Sequence, residues 1–476
     1  MPAMIKLALP AGDLRRPVAG LLDSAALSIE GYGEASRAYR LQAKSPDHLT
    51  ARVFREKDIP IQVALGNYDL GICSIAWVEE MHALFPNQPI VPLGDLGAGR
   101  APIVAAISSA YSFAHLASLP IVRIASEYPN LAEQFARSAR LRRYRIQSIW
   151  GAAEAYPPED ADCVVLSASG DNGLNRHGLA PLHHLLDNSA WLISNSVALA
   201  GKDLSAVVGP LVSRPAASGQ NGLRLPPPLP AAAKKPARLQ ETAERSVLRL
   251  AVPDGHQQRH VVAALRDGGL AFDGYGDGAI ARRPTSGVDG LEVKVIRPQD
   301  MPQLVATGEF NLAITGRDCL LEHRYAFPSS PATELLDLER GQYNLSAVVS
   351  EDLPAMSMDG ALEVWRAEGK RVIRIAAEFP ATADHYARSR HFWRYQVIPI
   401  AGASEGFVPE DADLLIEGTE TGKTLAENRL KAIDLLYRST TCLIGHRDAS
   451  RTGKRRHVYN EIIGALRTST GTRGAV

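Results

Sequence analysis

Apolar positions along this chain follow two periods. Short apolar runs read as strands: IKLAL from Ile5, TARVF from Thr50, YDLGICS from Tyr68, PIVAAIS from Pro102, PIVRIAS from Pro120, YRIQSIW from Tyr144 and DCVVLS from Asp162. Between them lie stretches of helical spacing over residues 14–26 and 59–65, and a helix capped by Asn130 that runs through Leu141. Strands alternating with helices predict an α/β body. Their number predicts two sheets per body with a cleft between them, and ligands of open α/β sheets sit at the carboxyl ends of strands.

The pattern occurs twice. IKLALPAGDLRRPVAGLLDSAAL from Ile5 returns as LRLAVPDGHQQRHVVAALRDGGL from Leu248, and RVFREKDIPIQVALGNYDLGI from Arg52 returns as KVIRPQDMPQLVATGEFNLAI from Lys294. The later parts match at a constant shift: the PEDAD that starts at Pro158 starts again at Pro409. A unit this long is a folded body, not a solenoid repeat. The chain divides into residues 1–212, a proline- and alanine-rich linker over 213–246, and residues 247–476. A first copy retained for packing against the second would make the chain an intramolecular pseudo-dimer; a homo-oligomer is left open.

One stretch carries the chemistry. From Asp411 the sequence reads DADLLIEGTETGKTLAEN: an apolar strand through Ile416, a turn of small residues, then helical spacing through Leu425, Leu430, Ile433 and Leu436. Unpaired backbone N–H groups where a helix starts favour an anion, and Lys423 with neighbouring threonines adds charge and donors. A nucleotide-hydrolase loop would need glycine where Glu417 stands, since a carboxylate there would face phosphate. A phosphoribosyl loop needs the opposite: an acid ahead of the turn to accept from ribose hydroxyls, and Thr421, Gly422, Lys423 and Thr424 around a 5′-phosphate.

Composition excludes some classes. Fifty-two basic residues balance 52 acidic ones, so no global field draws the chain to nucleic acid or an anionic membrane. No apolar run reaches membrane-spanning length, and four scattered cysteines suit buried packing in a reducing, cytoplasmic compartment. His183 and His184 lack a third ligand at metal-binding spacing. GYGDGA from Gly274 reads as a loop, and the basic run HRDASRTGKRRH from His446 as a solvated one.

The order of segments resembles the catalytic part of ATP phosphoribosyltransferase, the first enzyme of histidine biosynthesis. In the first copy the resemblance rests on ALPAG from Ala8, DIP from Asp58, DLGI from Asp69, DLGAGR from Asp95, IASEYPNL from Ile124 and GAAE from Gly151. In the second it rests on DMP from Asp300, NLAITGRD from Asn311, IAAEFP from Ile375, GASE from Gly402 and TETGKTLAEN from Thr419. It implies two tandem copies of a two-lobed, type II periplasmic-binding-protein-like body. It also implies magnesium-dependent transfer of phosphoribosyl from phosphoribosyl pyrophosphate to N1 of the adenine of ATP. Carried over, Glu417 and Lys423 are the catalytic candidates, and Glu405, Glu420, Thr421, Gly422, Thr424, Arg297, Thr315 and Gly316 the substrate-binding ones.

The departures are specific. The family's opening Lys-Gly-Arg turn is Ala11-Gly12-Asp13 in the first copy and Asp254-Gly255-His256 in the second. The first copy's loop is broken: Leu166 stands at the position of Glu417, and Gly170, Asp171, Asn172 and Gly173 at those of Thr421 to Thr424. Glu417 replaces the family's aspartate, and no regulatory third domain is expected. Two readings follow: a fused transferase with one working site in the second copy, or an impaired paralogue that binds phosphoribosyl or nucleotide ligands as a regulatory subunit.

Overall fold

In a computed structural model, residues 3–33, 39–168, 173–212, 223–227, 247–276, 281–402, 404–419, 422–448 and 455–471 are described. Each copy is built on a parallel strand pair. Ile5–Pro10 is buried at every position but Lys6 and pairs in parallel with Leu49–Phe54. Its counterpart Leu248–Pro253 is wholly buried and pairs in parallel with Leu291–Ile296. Unbroken apolar runs suit strands covered on both faces. Four of the short runs from the first copy form strands close to their predicted bounds, at Leu70–Ser74, Ile103–Ser108, Val122–Ser126 and Cys163–Ser167.

Three expectations need correction. Asn130 does not cap its helix: Pro129–Ser138 starts with the fixed φ of Pro129, and both the backbone N–H and the side chain of Asn130 donate to Glu80 (2.8 Å). The helix after the phosphate-type turn is short, Lys423–Glu427, and ends where Arg429 takes a left-handed φ of 56°. Beyond it Leu430–His446 is a strand; pairing with Ala332–Ser350 overrides the helical spacing of its leucines.

The third correction concerns the sheets. The first copy has two, of seven and five strands, as expected. In the second copy Ala332–Ser350 and Leu430–His446 run through both lobes and join the strands into one ladder of eight. The lobes stay distinct because the register of this pair slips between Asp337 and Arg340 and again before Tyr343, and because each lobe has its own apolar core. In the first copy the matching segments break into shorter strands, Ile90–Asp95 with Ile103–Ser108, across Gly97, Gly99 and Pro102.

The copies pack reciprocally. The Asp58 carboxylate accepts from the Ala401 N–H (2.8 Å), and Asp300, at the matching place in the second copy, accepts from Trp150, which matches Ala401. Likewise Tyr68 donates to Asp411 (2.8 Å), while Arg249 and Lys294 close on Asp160, the counterpart of Asp411. Apolar residues follow the same exchange, Phe54 against Phe407 on one side and Val164 with Ile296 and Met301 in one core on the other. This is an isologous contact within one chain. The linker lies mostly outside the described residues; residues 223–227 run along the first copy, where Arg224 N–H donates to the Leu185 carbonyl. Among the described residues no helix is long and apolar enough to cross a membrane, and all four cysteines are buried and free.

Candidate active site

The clefts of the two copies open into one cavity of about 1310 Å³, whose lining comes from both. On the second copy's side, strand Leu414–Thr419 delivers Glu417 to the floor, and the chain turns at Gly422, whose φ of 70° favours glycine. The Gly422 N–H is held by Thr419 Oγ1 (2.8 Å), and Gly422, Thr424 and Leu425 line the cavity. Glu420 and Thr421 lie outside the described residues. Lys423 points to solvent, 73% exposed, with its ammonium 3.9 Å from Glu427.

Glu417 accepts from Ser404 and from the Gly418 N–H (3.1 Å). Burial, and then the neighbouring Glu405 carboxylate, push its pKa up to about 8. Burial raises Glu405 as well, against the hydrogen bond from Ser404. A third carboxyl, Glu378, is raised by burial and drawn back down by Gln299, Lys57 and Arg55. Thr315 and Gly316 stand behind the lining: Thr315 is fully buried and donates to the Pro298 carbonyl (2.9 Å), and Gly316 caps helix Arg317–Ala326 under the side chain of Asp318.

The charges come from across the copy boundary, which the sequence alone did not reveal. Arg55 of the first copy lies over the second copy's Gly402, its Nε 3.2 Å from where a Cβ would sit. Lys57 stands on the Trp150 ring at 4.3 Å and within electrostatic reach of Glu378. Arg297 makes the reverse crossing, over Gly151 of the first copy, but is paired with Asp254 (3.1 Å), which also holds Arg282 (2.7 Å). At the place of Asp254 the first copy has Ala11, and among the described residues no carboxylate is recorded in ion-pair contact with Arg55. Arg55 thus lies beside the second copy's Gly402 with Asp58 and Glu378 only in electrostatic reach, while Arg297 lies beside the first copy's Gly151 in direct contact with a carboxylate.

The first copy's cleft has other chemistry. Leu166 replaces Glu417, Trp77 replaces Cys319, and Trp77 packs on Tyr128 with ring centroids 4.4 Å apart. His184 pairs with Asp187, and no cluster of three or more His, Cys, Asp or Glu among the described residues is placed to hold a metal.

The family model for ATP phosphoribosyltransferase matches residues 55–214 and again 297–468. The chain belongs to the ATP phosphoribosyltransferase family. The ATP phosphoribosyltransferase of Methanocaldococcus jannaschii is 31% identical over 182 residues, which are 38% of this chain and 59% of that protein. The one from Rubrobacter xylanophilus is 33% identical over 232 residues, 48% of this chain and 96% of its own length. Among the archaeal relatives, those of Methanocaldococcus jannaschii and Methanosarcina mazei are spanned over 59% and 66% of their length. Among solved structures, the ATP phosphoribosyl transferase (HisG:HisZ) complex from Thermotoga maritima matches at 21% identity and a TM-score of 0.38, over 47% of this chain and 98% of that one. Two family segments in one chain agree with the internal repeat.

Proposed function

We propose that this chain transfers phosphoribosyl from phosphoribosyl pyrophosphate to N1 of ATP, at one working site in the second copy, as a step of histidine biosynthesis. The observation that supports it best is that Glu417, Gly422 and Thr424 line one cavity with Arg55 and Lys57 of the first copy. In this reading the Thr424 hydroxyl and the backbone N–H groups that open the helix at Lys423 hold the 5′-phosphate. Ionised Glu417 accepts from ribose hydroxyls and fixes the ring. The bond from C1 to the diphosphate oxygen breaks, its electron pair leaving with pyrophosphate, as adenine N1 forms the new bond to C1.

Negative charge gathers on the leaving group, and in this reading Arg55 and Lys57, among the cations that line the cavity, oppose it. Magnesium, when bound, would neutralise part of the same charge. Arg55 acts across the copy boundary, so the degenerate copy is part of the working site.

The test is magnesium-dependent pyrophosphate release from phosphoribosyl pyrophosphate with ATP. Arg55→Ala is expected to lower kcat by about 100-fold, as loss of one donor to developing charge does. Thr424→Ala should weaken phosphoribosyl pyrophosphate by about tenfold, and Asn172→Ala should leave it unchanged. Tight ligand binding with no pyrophosphate release would favour the regulatory paralogue instead.

A further inference from the structure

The two copies differ at one sheet edge. In the first, strand Leu179–Leu186 is the outer member of the five-stranded sheet, and residues 223–227 of the linker lie along its free side as a strap. The Arg224 N–H donates to the Leu185 carbonyl (2.6 Å), His183 Nε2 donates to the Arg224 carbonyl (2.7 Å), and the Arg224 guanidinium meets Asp187 (3.0 Å). Leu223 packs on the core, and Ser138 donates to the Pro226 carbonyl (2.6 Å). An apolar anchor, a charge pair and backbone bonds thus hold an extended segment on this edge.

The second copy has the same edge without the strap. The matching stretch is residues 430–437 of strand Leu430–His446, which pairs with Ala332–Ser350 on one side. On the other side Leu312–Gly316 pairs only from Thr441 onwards, so among the described residues no strand reaches the outer side of this stretch. The ladder slips at the same point in both copies, leaving Leu185 in one and Leu436 in the other as the extra residue of a bulge. Leu436 therefore stands where the first copy accepts its strap.

Open sheet edges are ordinarily blunted by proline or charge. Here the residues change in the opposite direction: Ala432, which has an N–H, stands where the first copy has Pro181, and Leu435, 48% exposed, stands where it has His184. The stretch's own charges are spent elsewhere, Lys431 on the Leu353 carbonyl (2.6 Å) and Asp434 on Tyr386 (2.7 Å) and Arg390. Just beyond it, exposed Arg438 replaces Asp187, so the charge that meets Arg224 in the first copy is reversed in the second.

We propose that residues 430–437 form a docking edge for an extended segment of another polypeptide, in which an apolar residue is followed directly by an acidic one. The segment adds to the sheet as the strap does in the first copy, its apolar residue in the place of Leu223 and its carboxylate against Arg438. The chain's own strap is disfavoured there because Arg224 would face Arg438. None of residues 430–437 lines the large cavity, so the proposal does not depend on the transfer reading.

Fluorescence anisotropy on the full chain tests it with two labelled peptides: the strap's own sequence from Asn221, NGLRLPPPL, and the same peptide with glutamate in place of its arginine. The wild type should bind the glutamate peptide about tenfold more tightly than the arginine one, on the scale of one charge pair gained against one repulsion. Arg438→Glu should invert that preference, and the affinity it gains for the arginine peptide also reports an intact fold. Leu435→Lys, which blunts the edge, should weaken the glutamate peptide by about tenfold. Binding of neither peptide, equal binding of both, or a preference that Arg438→Glu leaves unchanged would overturn the proposal. Tighter binding of the arginine peptide by the wild type would overturn it in favour of strap exchange between chains, and a dimer that only Leu435→Lys dissolves, with no peptide bound, in favour of a second copy of this chain.

Discussion

Asp160→Asn is expected to destabilise the protein by about 3–5 kcal/mol, while Asp411→Asn, the same change at the matching position, should cost about 1 kcal/mol. Asp160 is met by the Arg249 guanidinium (2.7 and 2.9 Å) and by Lys294 (2.7 Å), and both cations are almost wholly buried. Removing its charge takes from both desolvated cations at the seam their most buried partner, leaving Arg249 with Glu292 (3.3 Å) and Lys294 with Glu159 (2.8 Å), both carboxylates more exposed than Asp160. Asp411 loses only the hydroxyl of Tyr68 (2.8 Å). Urea unfolding of the two variants at neutral pH separates them; equal losses would show that the seam does not depend on this cluster.

The pH dependence has a sign on each side. Although burial opposes it, Arg249 and Lys294 hold Asp160 down at about 2, below the ordinary 3.8. Its stabilisation is therefore complete above about pH 4 and disappears as pH falls towards 2. Asp58 and Asp300 act the other way. Burial pushes both up to about 7, so the folded state holds their protons longer than the unfolded chain, and their contribution falls as pH rises from about 4 to 7.

Glu417→Gln should lower kcat by roughly 100-fold or more, because it removes a charge that, in the proposed reaction, holds the ribose while C1 becomes electron-poor. The pH profile gives a second readout. With the carboxyl pushed up to about 8 by burial and by Glu405, the ionised form required for accepting ribose hydroxyls accumulates only as pH passes through 8. The value of kcat/KM for the wild type should rise through that range, and the Gln variant should lose the rise. Stability runs opposite, since a raised carboxyl weakens the fold as pH climbs from about 4.5 to 8; the Gln variant should unfold later than the wild type at pH 9. A flat wild-type profile from pH 7 to 9 would remove Glu417 from that role.

Much of this architecture was legible in the residues. Apolar runs such as CVVLS and VRIAS became strands because a buried parallel ladder needs β-branched residues covered on both faces, a demand visible in composition alone. The repeat was legible because both copies had to fill similar cores. The loop carrying Glu417 and Gly422 was legible because its chemistry is local: an acid, a glycine able to take a left-handed φ, and threonines within a few positions.

What the sequence misjudged depended on partners far along the chain. Leu430, Ile433 and Leu436 carry helical spacing, yet a strand is favoured there because Ala332–Ser350 supplies the hydrogen bonds. Arg55 and Arg297 looked alike, each just ahead of its aspartate and proline. Only the reciprocal packing showed that each crosses into the other copy, and only Asp254 against Ala11 showed which one is held by a carboxylate in direct contact. Spacing along a chain determines local geometry. The sign and place of an electric field depend on which groups the fold brings within a few ångströms, and here those groups come from opposite copies.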